Sequence, residues 1–225
     1  MTDGSGGGRP TGVPRLSLHE VTVRFGAVTA LAGVSLEVAP GTFLAVVGPS
    51  GAGKSTLLWA LAGAVVPDRG EVRMDGRRLA DRDAVLAAGV DLVPQGNGLA
   101  AVLTARENIL LPALARLGDA SSATRATDAA LAAVGLGESG AHLVEELSGG
   151  QQQRVAVARA LALDPLVLLA DEPTSELDHA NRELVLGLLR GLVERGRTVV
   201  MATHDPEAAA AADHIVRLDE GALTT

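Results

Sequence analysis

The sequence contains no cysteine and no tyrosine, and its aromatic residues are one Trp and two Phe. The absence of cysteine excludes disulfides and thiolate metal sites and allows a reducing compartment, so we expect a cytoplasmic protein. A membrane helix needs about 18 consecutive apolar residues. No stretch reaches that length, because Arg159, Asp164 and Pro165 interrupt the most apolar segment, residues 155–170. We therefore expect that the chain does not span a bilayer.

Clusters of basic residues are also missing, and the formal net charge is −8. Binding to nucleic-acid phosphates needs clustered Lys and Arg, so we expect no nucleic-acid partner. The N-terminal residues MTDGSGGGRPTG lack the apolar centre of a signal peptide. Their glycines are costly to order, and we expect residues 1–14 to form a flexible tail.

The order of apolar segments predicts an α/β fold with a mostly parallel sheet. Short apolar runs that alternate with helical segments are typical of βαβ units, in which helices cover both faces of the sheet. Ala and Leu at helical spacing predict a helical insert over residues 83–145. The predicted strands are 16–25, 34–38, 43–47, 167–170, 199–202 and 215–218, and the predicted helices begin near Lys54 and cover about 179–194 and 206–212.

The strongest motif lies between the apolar run 43–47 and a helical segment. It reads Gly48, Pro49, Ser50, Gly51, Ala52, Gly53, Lys54, Ser55 and Thr56. This is a phosphate-binding P-loop in its strand-loop-helix context, where glycines let backbone amides close around phosphate oxygens. Lys54 would reach the β- and γ-phosphates of a nucleotide, and the Ser55 hydroxyl would bind Mg²⁺. A chance glycine-rich turn does not explain the full pattern.

Two acids follow the apolar strand 166–170. Asp171 would hold Mg²⁺, and Glu172 would orient or deprotonate the attacking water, because ligands of parallel sheets bind at the carboxyl ends of strands. A polar turn at a strand end is the plainer interpretation of an Asp-Glu pair. The P-loop upstream favours the nucleotide site.

A third motif reads Leu147, Ser148, Gly149, Gly150 and Gln151. Ser148 and Gln151 form a capping box at a helix start. The box leaves the two glycines unexplained, since each costs the helix roughly 1 kcal/mol relative to Ala. They suit close approach of a phosphate to the helix N-terminus. Because the P-loop already surrounds one γ-phosphate, this second anion site suggests a second subunit.

Together with a later histidine, these motifs resemble the ATP-binding cassette (ABC) family over residues 15–222. The resemblance implies a single ABC ATPase domain over 15–225, with a RecA-like P-loop core, an antiparallel β lobe, and a helical lobe over about 96–160. It also implies that the chain pairs head to tail with a second copy of itself or with a homologous cassette. ATP and Mg²⁺ would lie between the P-loop of one copy and Ser148, Gly149, Gly150 and Gln151 of the other.

The same resemblance assigns four further positions. Phe25 would stack on adenine or be an ordinary strand-end core residue, and the sequence leaves both open. Gln95 would sense Mg²⁺ and the attacking water. Asp178 would lie in the loop that crosses the dimer interface, although it could equally cap the next helix. His204 would contact the γ-phosphate, and Glu176 places an unusual acid near the interface.

The family resemblance also implies a partner in the membrane. Residues 103–112 and 174–178 resemble the lipoprotein-release and macrolide-export branch of ABC transporters. We therefore expect a transmembrane permease that holds the chain at the inner face of the cell membrane. We expect this permease to dock on residues 96–112, with Leu99, Val102 and Leu103 in the contact, although each of these residues could instead only pack inside the helical lobe. The alternatives are an ABC ATPase that regulates a membrane complex without transport and a soluble ABC ATPase outside transport.

Overall fold

A computed structural model describes residues 13–79 and 81–224 of the chain. The strands are β1 Leu16–Phe25, β2 Val28–Val38, β3 Phe43–Val47, β4 Arg69–Met74, β5 Arg77–Arg78, β6 Val90–Val93, β7 Val167–Asp171, β8 Thr198–Thr203, β9 His214–Asp219 and β10 Ala222–Thr224. The helices are α1 Lys54–Leu61, α2 Arg82–Ala87, α3 Ala105–Leu117, α4 Ala120–Ala133, α5 Gly149–Leu163, α6 His179–Glu194 and α7 Pro206–Ala209. The tail prediction lies almost wholly outside the described residues, which begin at Val13.

Six strands form the sheet that carries the P-loop, in the order β10-β9-β3-β8-β7-β6. The five from β9 to β6 are parallel, and β10 pairs antiparallel with β9. Every residue of β7 and β8 is buried, because helices pack on both faces of a parallel sheet. The predicted parallel core is confirmed, and its central strands end beside one another.

Four strands form a separate antiparallel sheet in the order β2-β1-β4-β5. The second strand begins at Val28, earlier than the predicted residue 34, because Gly33 does not form a turn. Gly33 has a φ of +67° and lies where the pairing with β1 shifts register. A glycine at positive φ forms a bulge inside a strand, so the strand continues through it.

Helices α3, α4 and α5 pack on each other around their own apolar cluster, which includes Ile109, Leu131 and Val155. The predicted helical insert over 83–145 is wrong between α2 and α3. Residues Val90–Val93 form a strand that pairs with β7 in the parallel sheet. Four residues are too few to reveal a strand period beside Ala-rich helices, and the pairing partner is far away in the sequence. Within the described residues, no helix is long and apolar enough to cross a membrane.

Candidate functional site

The P-loop connects β3 to α1, as the sequence predicts. Lys54 is the first residue of α1 and is buried, and its Nζ donates to the carbonyl oxygens of Gly48 (2.8 Å) and Pro49 (3.0 Å). These bonds hold the ammonium group across the mouth of the loop. A bound phosphate would lie against this charge and the N-terminal amides of α1, which have no acceptor inside the helix.

Two P-loop glycines are required by close backbone contacts. A Cβ at Gly53, which has a φ of +102°, would lie 2.3 Å from the Ala30 carbonyl oxygen. A Cβ at Gly48 would lie 2.1 Å from the Leu218 carbonyl oxygen. The loop is therefore pressed between β2 and the end of β9, and any side chain at either position would displace it.

Asp171 is the last residue of β7 and is 1% exposed. Both carboxylate oxygens are buried, and neither has a hydrogen-bond partner among the described residues. Burial raises the pKa of Asp171, and the nearby Ser55 hydroxyl opposes this increase. A buried carboxylate without partners is costly, so this geometry fits a cation. Mg²⁺ is usually bound by one or two carboxylates and completes its shell with phosphates and water, which suits Asp171 beside Ser55.

Glu172 follows Asp171 and has an unusual backbone conformation, with a φ of +50°. Its Oε1 lies 2.8 Å from Nδ1 of His204, and its Oε2 accepts a 3.3 Å hydrogen bond from the Thr203 hydroxyl. An ionised carboxylate only accepts hydrogen bonds, so a hydrogen bond in this pair requires the imidazole form with a proton on Nδ1. Backbone strain of this kind persists where the surroundings fix it, and it is concentrated at functional sites.

One cavity of about 790 Å³ brings most of these groups together. Of the predicted site residues, it is lined by Pro49, Ser50, Gly51, Gly53, Lys54, Ser55, Thr56, Gln95, Asp171, Glu172 and His204. Gly48 and Ala52 belong to the loop but do not line the cavity. The Ala52 carbonyl accepts a hydrogen bond from the Gly221 backbone N–H. A cavity of this volume has room for a small ligand beside the two acids.

Phe25 does not line this cavity. It is 48% exposed at the end of β1, and it pairs with Val28, which does line the cavity. The exposure excludes the alternative of an ordinary core residue. The aromatic ring therefore lies one residue pair away from the cavity wall, and its stacking on adenine stays a prediction.

The glycine-rich motif of α5 lies outside the cavity. Ser148 and Gln151 form the predicted capping box, with hydrogen bonds of 2.9 and 3.3 Å. A Cβ at Gly150 would lie 2.9 Å from the Glu176 carbonyl oxygen, and one at Gly149 would lie 3.4 Å from the Glu176 carboxylate. One chain therefore presents the P-loop and this helix start as two separate surfaces, and Glu176 stands beside the second.

Asp178 also lies outside the cavity and caps α6, where its Oδ1 accepts from the Asn181 backbone at 2.9 Å. This hydrogen bond lowers the pKa of Asp178. The capping interpretation of Asp178 is confirmed. Its exposure leaves the interface role open as a prediction.

Two contributions to the site escaped the sequence analysis. The Thr203 hydroxyl contacts Glu172, but a threonine at the end of an apolar strand gives no signal of its own. Thr29 and Ala30 of β2 also line the cavity, and their place there depends on sheet packing instead of residue type. The positive φ of Glu172 could not be read from its residue type either.

Comparison with known proteins agrees with these features. The sequence model of a family described as ABC transporter matches residues 31–175, more than half of the chain. An uncharacterized ABC transporter ATP-binding protein of Mycobacterium tuberculosis is 40% identical over 90% of this chain and 64% of its own length. The macrolide export ATP-binding/permease protein MacB of Marinobacter nauticus is 40% identical over 93% of this chain and 34% of its own length. The chain thus spans less than two thirds of these curated relatives.

Solved structures share the fold. The ATP-binding cassette MJ0796, solved as a dimer in a post-hydrolysis state bound to ADP and Pi, has a TM-score of 0.87 and 35% identity over 93% of this chain and 97% of that chain. A bacterial Atm1-family ABC exporter solved with ATP bound has a TM-score of 0.82 and 31% identity over 94% of this chain and 38% of that chain. The predicted P-loop core with an antiparallel sheet and a helical lobe is confirmed.

Proposed function

The chain belongs to the ABC transporter family and is an ATP-binding cassette, and from this membership we propose that it hydrolyses Mg-ATP as a head-to-tail dimer and drives a separate membrane permease. The observation that carries the proposal is the grouping of Lys54, Asp171, Glu172 and His204 around one cavity. We propose residues 15–225 as one cassette, with residues 96–160 as its helical subdomain.

The P-loop would bind the phosphates of ATP. Lys54 would give up its hydrogen bonds to the carbonyls of Gly48 and Pro49 and donate to phosphate oxygens instead. Because the Lys54 side chain is already buried, binding would not require a further loss of water from its ammonium group. The amides at the start of α1 would complete the cradle. Phe25 would cover the adenine from the end of β1.

The Mg²⁺ ligands from this chain would be Ser55, Asp171 and Gln95. The bound cation would neutralise charge on the β- and γ-phosphates. Asp171 fits this role because its buried oxygens lack other partners among the residues that the structure describes. Gln95 is exposed at the cavity wall, just after β6, so it could approach the metal when the nucleotide binds.

Glu172 would orient the attacking water and accept its proton. Thr203 and His204 each contact one carboxylate oxygen, which limits rotation of the side chain. The His204 side chain is 66% exposed, so Nε2 is accessible to a γ-phosphate oxygen and would donate to it when both ring nitrogens carry a proton. These residues work by positioning and electrostatics, which supply most of the catalysis in phosphoryl transfer.

A second copy of the chain would complete the site. Ser148, Gly149, Gly150 and Gln151 lie away from the cavity of their own chain, so they are available to the nucleotide of a partner. The helix N-terminus would favour the γ-phosphate. Asp178 would lie at the same interface.

A groove would receive the permease. This cavity of about 620 Å³ is lined by Trp59, Ala62, Ala64, Arg82, Leu86, Val90, Asp91, Leu92, Pro94, Gly98, Pro112, Arg159, Ala160 and Leu163. Trp59 and Leu86 are 38% and 41% exposed there, and exposed apolar patches favour partner binding. Arg159 donates a 2.6 Å hydrogen bond to the Gly98 carbonyl, which connects α5 to the loop after Gln95.

The permease would place this cassette at the inner face of the cell membrane. We propose an exporter, because the branch resemblance of residues 103–112 and 174–178 agrees with the similarity to a macrolide export protein. In that protein one chain carries both the ATP-binding part and the permease, according to its name.

Substitution of the proposed base tests the enzymatic proposal. Glu172→Gln should retain ATP binding, lose at least 99% of turnover and form a dimer with Mg-ATP in size-exclusion chromatography, because the amide cannot accept the proton of water (about 10²-fold or more). Glu183→Gln is the matched control, since Glu183 is exposed on α6 and lies outside the cavity. Near-normal hydrolysis by the Glu172 variant would reject the role of Glu172.

A further inference from the structure

Arg182 connects the start of α6 with the segment that follows β8, two regions that lie apart in the sequence. It lies in the first turn of α6, where its backbone N–H donates to the Asp178 carbonyl at 2.8 Å. Its side chain reaches the segment after β8. There Nε lies 3.4 Å from Oδ2 of Asp205, and Nη1 donates to Glu207 at 2.6 Å.

Hydrogen bonds continue from Asp205 to the proposed base. The Asp205 backbone N–H donates to the Thr203 hydroxyl at 3.1 Å, and that hydroxyl donates to Oε2 of Glu172 at 3.3 Å. His204 lies between Thr203 and Asp205 in the sequence, so its backbone is fixed on both sides. A continuous set of contacts thus joins Arg182 to both Glu172 and His204.

The two ion pairs of Arg182 differ in burial. The side chains of Arg182 and Asp205 are 23% and 24% exposed, whereas Glu207 is 70% exposed. Water screens an exposed pair and leaves it little strength. The part-buried pair with Asp205, in which Nε makes no hydrogen bond among the described residues, is therefore the one whose charge can hold the segment. Arg182 also lines a depression of about 460 Å³ together with Glu172 and His204. The guanidinium group is therefore beside the site.

We infer that Arg182 is a positioning residue, which holds the segment Thr203–Asp205 so that Thr203 and His204 keep the Glu172 carboxylate in its reactive orientation. This inference rests on the proposed ATPase function. Arg182 also stands one helical turn from Asp178. A contact between Asp178 and a second copy would therefore reach the base through Arg182.

A purely structural role for Arg182 would be to tie α6 to the core. Arg190 performs that kind of role two turns later in the same helix. Its Nη1 donates to Asp213 at 2.6 Å, and its guanidinium lies 5.5 Å above the centre of the Phe43 ring. Neither partner contacts Thr203, His204 or Glu172 in the hydrogen bonds of the described residues. Arg190→Met is therefore a matched control for the loss of an Arg bridge from α6.

The test compares steady-state ATP hydrolysis and ATP affinity of the full chain. Arg182→Met should lower kcat about tenfold or more, while KM and the Kd for ATP stay within about twofold, because small misplacements of catalytic groups reduce the chemical step. Arg182→Lys should recover part of kcat, because it restores the charge. Arg190→Met should lower the melting temperature and leave kcat of the folded protein unchanged.

Two changes at the other end of the contact separate the ion pairs. Asp205→Asn keeps a helix-capping oxygen but loses the charge, so it should reproduce the kcat loss. The double variant with Arg182→Met should lose no more than the larger single loss. Glu207→Gln should leave kcat unchanged. If Arg182→Met does not fold, the comparison of Asp205→Asn with Glu207→Gln still tests the positioning role.

Each result has one interpretation. Normal kcat in Arg182→Met, equal kcat losses in Arg182→Met and Arg190→Met, or additive losses with Asp205→Asn would overturn the positioning role. Failure of the proposed function looks different. In that case the unmodified chain would not hydrolyse ATP, or Glu172→Gln would hydrolyse it normally.

Discussion

Gly53 lies against the carbonyl oxygen of Ala30, and a Cβ at position 53 would approach that oxygen to 2.3 Å. The antiparallel sheet thus sets the shape of the phosphate loop through one backbone contact. Gly53 also has a φ of +102°. The close contact and the positive φ both require glycine at position 53.

Gly53→Ala should therefore abolish ATP binding, because the loop must move away from β2 to accept the methyl group. Isothermal titration calorimetry with Mg-ATP measures this, and we expect at least a hundredfold weaker Kd. Gly41→Ala is the control. Gly41 has a φ of +68° with open space around it, so alanine there costs only about 1 kcal/mol of conformational energy. Equal ATP affinity in both variants would contradict the contact argument.

The sequence predicted this site well because its signals are local. The P-loop, the capping box at Ser148 and helix α6 depend on residues that are neighbours in the chain. Their geometry follows from capping and glycine chemistry. The two acids at the end of β7 were also predictable, since an apolar run that ends in acids marks the edge of a parallel sheet.

Features that depend on distant neighbours were not predictable. Strand β6 was mistaken for part of a helical insert, because its four residues become a strand by pairing with β7. Leu99 was expected at a docking surface, yet it packs against two apolar clusters. The contact of Thr203 with Glu172 requires the register of β8 beside β7. Such pairings arise from tertiary structure and leave no pattern in a short window of residues.

A composite site predicts complementation between two inactive variants. Ser148→Arg should abolish hydrolysis but leave ATP binding by the monomer intact, because Ser148 would serve the nucleotide of the partner. Lys54→Ala should lose ATP binding in its own loop. In an equal mixture, half of the dimers are mixed and each carries one intact site, so roughly a quarter of normal activity should return if the sites act independently.

The ATPase assay of the mixture checks this prediction, with each variant alone as the baseline. Native mass spectrometry at the same concentrations shows whether mixed dimers form. Absence of recovery in a sample with demonstrated mixed dimers would count against the head-to-tail arrangement.

Asp213 predicts a pH-dependent contribution to folding stability. The Phe43 backbone N–H donates to its Oδ2 at 2.8 Å, and Arg190 donates to its Oδ1 at 2.6 Å. The Phe43 hydrogen bond and then the Arg190 hydrogen bond lower the pKa of Asp213 below its ordinary value of 3.8. A lowered carboxyl pKa stabilises the fold above the unfolded-state value, and the contribution disappears as pH falls through the folded-state value.

Asp213→Asn should therefore lower the free energy of unfolding at pH 7 and at pH 5 by similar amounts. The difference from the unmodified chain should shrink as the pH falls below 3.8. Urea denaturation at each pH gives the two free energies. A difference that is the same at pH 3 and pH 7 would show that the charge of Asp213 does not contribute.

The final prediction concerns the permease groove. The sequence pointed to residues 96–112, with Leu99, Val102 and Leu103 in the contact, and Val102 is 84% exposed but does not line the groove. Leu99 is partly buried among core residues, so an acid there would disturb folding before it disturbed docking. Within that segment, Gly98 and Pro112 line the groove. Two exposed apolar side chains that line the groove lie outside that segment, namely Trp59 of α1 and Leu86 of α2.

The absence of cysteine allows a direct test of this groove. Leu86→Cys and Leu184→Cys each introduce a single thiol at a leucine of similar exposure, 41% and 37%. Leu184 lies on α6, outside the groove. Each variant would be labelled with a benzophenone maleimide, added to membranes from cells that express the native permease, and irradiated. We expect Leu86→Cys to form an adduct with an integral membrane protein.

Leu184→Cys should give no such adduct, because Leu184 does not line the groove. Leu86→Asp should then reduce retention of the chain on those membranes at least tenfold, while ATP affinity and melting temperature stay near normal. A charge buried in an apolar contact costs several kcal/mol, which is enough for this effect. Adducts of equal yield from both cysteines, or normal retention of Leu86→Asp, would place the permease on another surface.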